Sequence, residues 1–112
     1  MNQVVLIGRL AQDPRLSYTQ EGVAVGEFTL AVGRPGRTGE TEKKADFIDV
    51  VVWRKLAEAC GEYLGRGRKV AVQGHLEIQK YNKGDEAKKA AKVVAWQVQF
   101  LEGTKERGKD AS

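Results

Sequence analysis

Residues 46–53 read DFIDVVVW and run directly into 54–65, RKLAEACGEYLG. Side chains two apart along a strand share a face. Ile48, Val50 and Val52 therefore form one aliphatic row, while Phe47, Asp49, Val51 and Trp53 point the other way. The aliphatic row is the natural core. The opposite row presents two large aromatics with a carboxylate between them. At residue 54 the period changes, and Leu56, Cys60, Tyr63 and Leu64 fall on one stripe of a helix, with Lys55, Glu58 and Glu62 off it. Gly65 and Gly67 supply a left-handed exit from that helix.

Working outward, residues 3–10 (QVVLIGRL) predict a strand whose near-continuous apolar character implies cover on both faces. Asp13-Pro14 ends it. A second strand is expected over 23–33, where Phe28, Leu30 and Val32 alternate with Glu27, Thr29 and Ala31. The stretch 34–44 (RPGRTGETEKK) has no apolar residue and reads as a long hairpin loop. After the helix, 69–81 (KVAVQGHLEIQKY) repeats the strand pattern. Val70, Val72, Leu76 and Ile78 share one face; His75, Glu77, Gln79 and Tyr81 share the other. A turn is expected at 82–85. In 86–100 helix propensity holds to Lys92 and β-branched alternation follows, so the expectation is a loop arm and then a fifth strand. Val94, Trp96, Val98 and Phe100 share that strand's alternation, which favours the core for Trp96 over a further exposed aromatic platform. Three strands, a helix and two strands give an all-β fold: a five-stranded OB-fold barrel with one helix between strands three and four.

The length of 112 residues allows one hydrophobic core, assigned to residues 1–103, with a short polar tail at 104–112 that has nothing to bury. An apolar share of 41% with 30% charged residues fits a folded, soluble chain. The net charge of +4 permits a polyanionic partner without demanding one. The apolar runs are too short to cross a bilayer, Met1 leads straight into a strand with no signal-peptide pattern, and a lone cysteine fits a reducing compartment. The expected setting is cytoplasmic. One Cys and one His are too few for a zinc site, and the Gly-rich segment at 33–39 lacks the Lys-Ser/Thr ending of a phosphate-cradling loop. No metal, cofactor or catalytic residue is expected. Cys60 reads as a buried small hydrophobe and His75 as structural or at a subunit contact.

Unpaired nucleic acid offers base faces and a row of phosphates, so a protein that holds it without reading sequence needs aromatic platforms and cations. Phe47, Trp53 and Tyr81 lie on non-core faces of two strands. Lys55, Lys80 and Lys83 are close by in sequence; Arg34, Arg37, Lys43 and Lys44 lie in the 34–44 loop; Lys88, Lys89 and Lys92 lie in the arm.

The chain also resembles bacterial single-stranded DNA-binding proteins over about residues 1–103. The matching stretches are NQVVLIGRLAQDPRLSYTQEGVAV, FTLAV, ADFIDVVVWRKLAEACGEYLGRG, VQGHLEIQKY and VQFLEG, in that order. The resemblance implies an OB-fold, a homotetramer built from two dimers that pair through the first strand (here Asn2 to Leu6), and sequence-tolerant wrapping of single-stranded DNA in replication, recombination and repair, close to the nucleoid. It implies base platforms at Phe47, Trp53 and Tyr81, and phosphate contacts at Lys55, Arg66 and Lys80. Arg34, Arg37 and Lys83 join them as candidate phosphate contacts. Two features depart from the family pattern: no aromatic stands near Gly36, and Asp49 lies between two platforms, with a salt bridge to a neighbouring Arg or Lys as its simplest role. The ending Lys109-Asp110-Ala111-Ser112 lacks the acidic tip through which the family recruits protein partners, so recruitment by that route is not expected.

Three rival readings stand beside this one: within the binding class, a primosome-type accessory module acting mainly through proteins; from the structural class, a subunit whose aromatic face is sealed in a permanent assembly; and from the enzyme class, a Cys60–His75 thiol catalyst.

Overall fold

In a computed structural model, residues 1–34 and 44–101 are described. Arg37, most of the 34–44 loop, the boundary at 103 and the tail at 104–112 lie outside the described residues. The elements are β1 (Val4–Leu10), β2 (Arg15–Tyr18), β3 (Ala24–Gly33), β4 (Ala45–Trp53), α1 (Arg54–Tyr63), β5 (Lys69–Lys83) and β6 (Glu86–Phe100).

Five strands close a ring in the order β1-β5-β6-β4-β3, and β3 returns to β1 through Arg9↔Ala31 and Leu10↔Leu30. Neighbours are antiparallel except at one seam, where β4 and β6 run parallel through Asp49↔Lys92, Val50↔Val93 and Val51↔Val94. The helix lies between the third and fourth strands of the ring, as an OB-fold requires. The sixth strand, β2, is an addition to the sequence expectation. It pairs with β3 from Arg15↔Glu27 to Tyr18↔Ala24 and is exposed throughout. With no face to bury, RLSY carries little apolar alternation to betray it.

Leu30, Val50, Val52, Val70 and Val72 are fully buried together at the centre, joined by Phe28, Leu10 and Val93. Ala57 and Cys60 of α1 complete the core, and α1 packs chiefly on β3. The predicted stripe holds at Cys60 and Leu64 but not at Tyr63, which is exposed. The helix stops where Leu64 turns extended and its N–H donates to the Cys60 carbonyl at 3.0 Å. Of Gly65 and Gly67, only Gly67 is left-handed, and it serves the turn after the helix.

Several expectations are corrected. β1 is covered on one face only: Leu10 is buried, while Val5 and Ile7 on the other face are 61% and 52% exposed. Leu76 and Ile78 follow the predicted alternation but are exposed, because β5 and β6 continue past the ring as a two-stranded arm. Residues 86–92 are strand, not a loop arm. A helix this short is marginal in water, whereas β5 offers a full ladder down to Lys83↔Glu86. Gly84, at φ +64°, makes the tight connection.

A bulge sets the phase of β6. Gln73 pairs with Gln97 but Gly74 with Ala95, so Trp96 is the extra residue. Val93 and Ala95 therefore face the core before it, and Val98 and Phe100 pack inward after it. Trp96, expected in the core, is expelled and stands 52% exposed. Gly74 is needed here because a Cβ would run into the Val94 carbonyl oxygen.

Candidate nucleic-acid interface

Cross-strand partners stand on the same face of a sheet. Asp49 is paired with Lys92, and Lys92 with Glu77, so the outward face passes unbroken from β4 across β6 to β5. Further out on the arm, Tyr81 is paired with Lys88. Phe47, Asp49, Trp53, Lys88, Lys92 and Tyr81 consequently share one outer surface. The three rings are 68%, 42% and 49% exposed for Phe47, Trp53 and Tyr81. Six residues of strand rise put Phe47 and Trp53 about 20 Å apart, enough for several nucleotides between them. Val51 lies on the same row yet is buried. Its cross-strand neighbour Glu27 is bridged by Arg15 at 2.7 Å, so longer side chains flank it.

A cleft of about 490 Å³ opens on this surface between β3–β4 and the arm, lined in part by Thr29, Asp49, Gln79, Ala90 and Lys92. The salt bridge expected of Asp49 does not form among the described residues. Its partner is a hydroxyl: Thr29 Oγ1 donates to Asp49 Oδ1 at 3.2 Å, from the facing position on β3.

The candidate cations are spread more widely than the rings. Lys55 is exposed on α1, two residues beyond Trp53. Lys83 shares the Tyr81 face by alternation, whereas Lys80 opposes Lys89 on the other side of the arm. Arg34 is exposed but occupied, with Nε and Nη2 donating to Asp46 Oδ1 at 3.0 and 2.8 Å. Hydrogen bonds from Arg34 hold the Asp46 carboxyl below its ordinary range, and those bonds raise Arg34 in turn. Arg66 lies in the turn after α1, where its backbone N–H donates to Asp13 Oδ1 at 2.8 Å. Sequence reasoning missed Arg54, which follows Trp53 with φ +62° and turns the chain from strand to helix. It also missed Thr29, since only the strand register reveals what faces Asp49.

The thiol-catalyst arrangement is not assembled. Cys60 is wholly buried, and burial pushes its thiol up to about 12. His75 stands on the outer face, 2.9 Å from Glu77 Oε2. Among the described residues no group of three or more His, Cys, Asp or Glu side chains could hold a metal ion, and no helix is long and apolar enough to cross a membrane.

A sequence profile described as "Single-strand binding protein family" matches residues 1–101. The chain belongs to that family. Among its relatives, single-stranded DNA-binding protein 3 of Listeria innocua is 47% identical, aligned with 100% of this chain and 70% of its own length. Single-stranded DNA-binding proteins of Halalkalibacterium halodurans and Bacillus cereus are 47% and 46% identical; the alignments cover 91% and 96% of this chain and 61% and 66% of theirs. The chain thus spans about two thirds of the length of the curated relatives it matches. The family match covers every ring of the outer surface.

Proposed function

We propose that this chain binds single-stranded DNA, as its relatives are named for doing, that it does so with little regard to sequence, and that it protects the strand during replication, recombination and repair. Bases stack on Phe47, Trp53 and Tyr81, and phosphates lie against Lys55, Lys83 and Arg66; Lys80, Arg34 and Arg37 are further candidate phosphate contacts. The observation that carries this reading is the continuous surface on which three rings, each between 42% and 68% exposed, stand together with Lys88 and Lys92. Exposed aromatics are costly to keep in water, and stacking on each contributes about 1–3 kcal/mol per base. The protein has no catalytic step in this reading and works in the cytoplasm at the nucleoid.

Assembly into a homotetramer through first-strand dimers belongs to the same proposal. Two features of β1 support it: Val5 and Ile7 are exposed, and β1 meets β3 only at Arg9 and Leu10, which leaves the edge of residues 4–8 open. An open, apolar strand edge invites pairing with a second copy.

The test is a tryptophan-fluorescence titration with poly-dT and with a matching RNA at two or more salt concentrations. Stacked bases quench Trp53. With about five phosphates neutralised per site, log affinity falls against log salt with a slope of roughly −3 to −4. Absent quenching together with a flat salt response would reject the reading.

A further inference from the structure

Asp49 is an anomaly on a surface meant for a polyanion. Its carboxylate is exposed between Phe47 and Trp53, where a negative charge opposes the phosphates. Among the described residues no ion pair neutralises it, and Thr29 occupies only Oδ1. The hydroxyl bond leaves Oδ2 without a hydrogen-bond partner among the described residues, and Asp49 lines the cleft. A carboxylate is an acceptor-only group, so it gains nothing from a phosphate oxygen and can be satisfied only by a donor.

The donors that single-stranded DNA brings to such a surface are on its bases. Asp49 is two residues from Phe47 on the same face, about 7 Å along the strand. That is the distance from the centre of a base stacked on Phe47 to a group beyond its edge. Cytosine presents an N4 amine there, and carboxylates accept from that amine. Thymine presents a carbonyl oxygen at the same place, which a carboxylate repels. Both pyrimidines stack alike, so the rings do not distinguish them.

We propose that Asp49 biases this surface toward bases carrying an exocyclic amine, its free carboxylate oxygen accepting a hydrogen bond from the N4 amine of a cytosine stacked on Phe47. The inference rests on the proposed stacking role of Phe47 and Trp53. The resulting bias is a preference within sequence-tolerant binding, and it offsets part of the charge repulsion for cytosine but not for thymine.

The experiment measures affinities of poly-dC and poly-dT for the full chain at one salt concentration and mildly alkaline pH, where cytosine is unprotonated. Wild type is compared with Asp49→Ala, Asp49→Asn and Trp53→Ala. Asp49→Ala should tighten poly-dT binding by removing the charge and should lower the dC-to-dT affinity ratio about fivefold, the scale of one base contact. Asp49→Asn sheds the charge but keeps one carbonyl acceptor, and its ratio should fall between the other two. If Asp49→Ala tightens both polymers by the same factor, Asp49 acts through charge alone and the proposal is overturned, while weakening by Trp53→Ala would still uphold the stacking surface. If Trp53→Ala weakens neither polymer, the stacking reading fails and this inference fails with it.

Discussion

The Trp96 indole lies over the His75 imidazole, with ring centroids 6.0 Å apart and planes 25° from parallel. The contact forms on the surface because the bulge at Trp96 ejects this residue from the inward row of β6. Removing a buried tryptophan costs about 3–5 kcal/mol. Trp96→Ala should instead cost about 1 kcal/mol in urea unfolding, the value of an exposed aromatic contact. A loss in the core range would place the indole inside the protein.

The two tryptophans should separate cleanly in fluorescence. Trp53→Phe should remove the share of the poly-dT quenching that comes from stacking at the end of β4, and Trp96→Phe the share that comes from the exposed indole beside His75. Alanine at Phe47, Trp53 or Tyr81 should each weaken binding by about 1–3 kcal/mol while the unfolding midpoint stays near wild type. A variant that unfolds while its folded fraction binds normally would mark that ring as structural.

Gly74→Ala should be far more damaging than its size implies. The added Cβ meets the Val94 carbonyl oxygen and lies 2.7 Å from the Ala95 Cα, both backbone atoms that cannot swing aside. Overpacking of this kind costs about 1–3 kcal/mol or more. Denaturant unfolding measures it, and an unchanged midpoint would mean that the bulge rearranges freely.

Cys60 should resist alkylation in the native protein at neutral pH and react once the chain unfolds. Its thiol is raised from 9.0 to about 12 by burial, so the folded state holds the neutral form. The unfolded chain ionises first as pH rises. The stabilisation linked to this thiol is therefore complete below about pH 9 and is lost progressively between pH 9 and about 12. Cys60→Ala should remove this component of the alkaline stability loss, which unfolding at a series of pH values would show.

Arg54 holds a left-handed backbone at φ +62° without being glycine. That conformation costs an L-residue about 1–2 kcal/mol. Arg54→Gly should recover about 1 kcal/mol in thermal or denaturant unfolding, with the Trp53 quenching retained. A loss of stability would show that the Arg54 side chain contributes more than its backbone costs.

The part of the fold legible in the sequence is the part in which each strand has one face to bury. Val50 and Val52 alternate against Phe47 and Trp53 because the core takes one row and rejects the other, and the helix announces itself by a change of period. The three rings were legible for the same reason. What the sequence hid depends on partners far along the chain. β2 has no buried face; the 86–92 segment is a strand because β5 is beside it; and Trp96 is outside because one extra residue shifts a register, which leaves no mark on local alternation. The Thr29–Asp49 bond was invisible likewise, since twenty residues separate its members.

The parallel seam between β4 and β6 has a consequence for synthesis. β4 ends at Trp53, yet the residues that close the ring against it are Lys92 to Val94. On the ribosome the β3–β4 hairpin emerges early and waits with one backbone edge unpaired until some forty further residues have been translated. Pairings this distant are slow to form and leave a nascent chain open to wrong partners in the interval. The same late closure means that the surface carrying Phe47 and Trp53 is only half built until its last strand arrives, so a polypeptide cut short before β6 would present those two rings without Lys88 and Lys92 beside them.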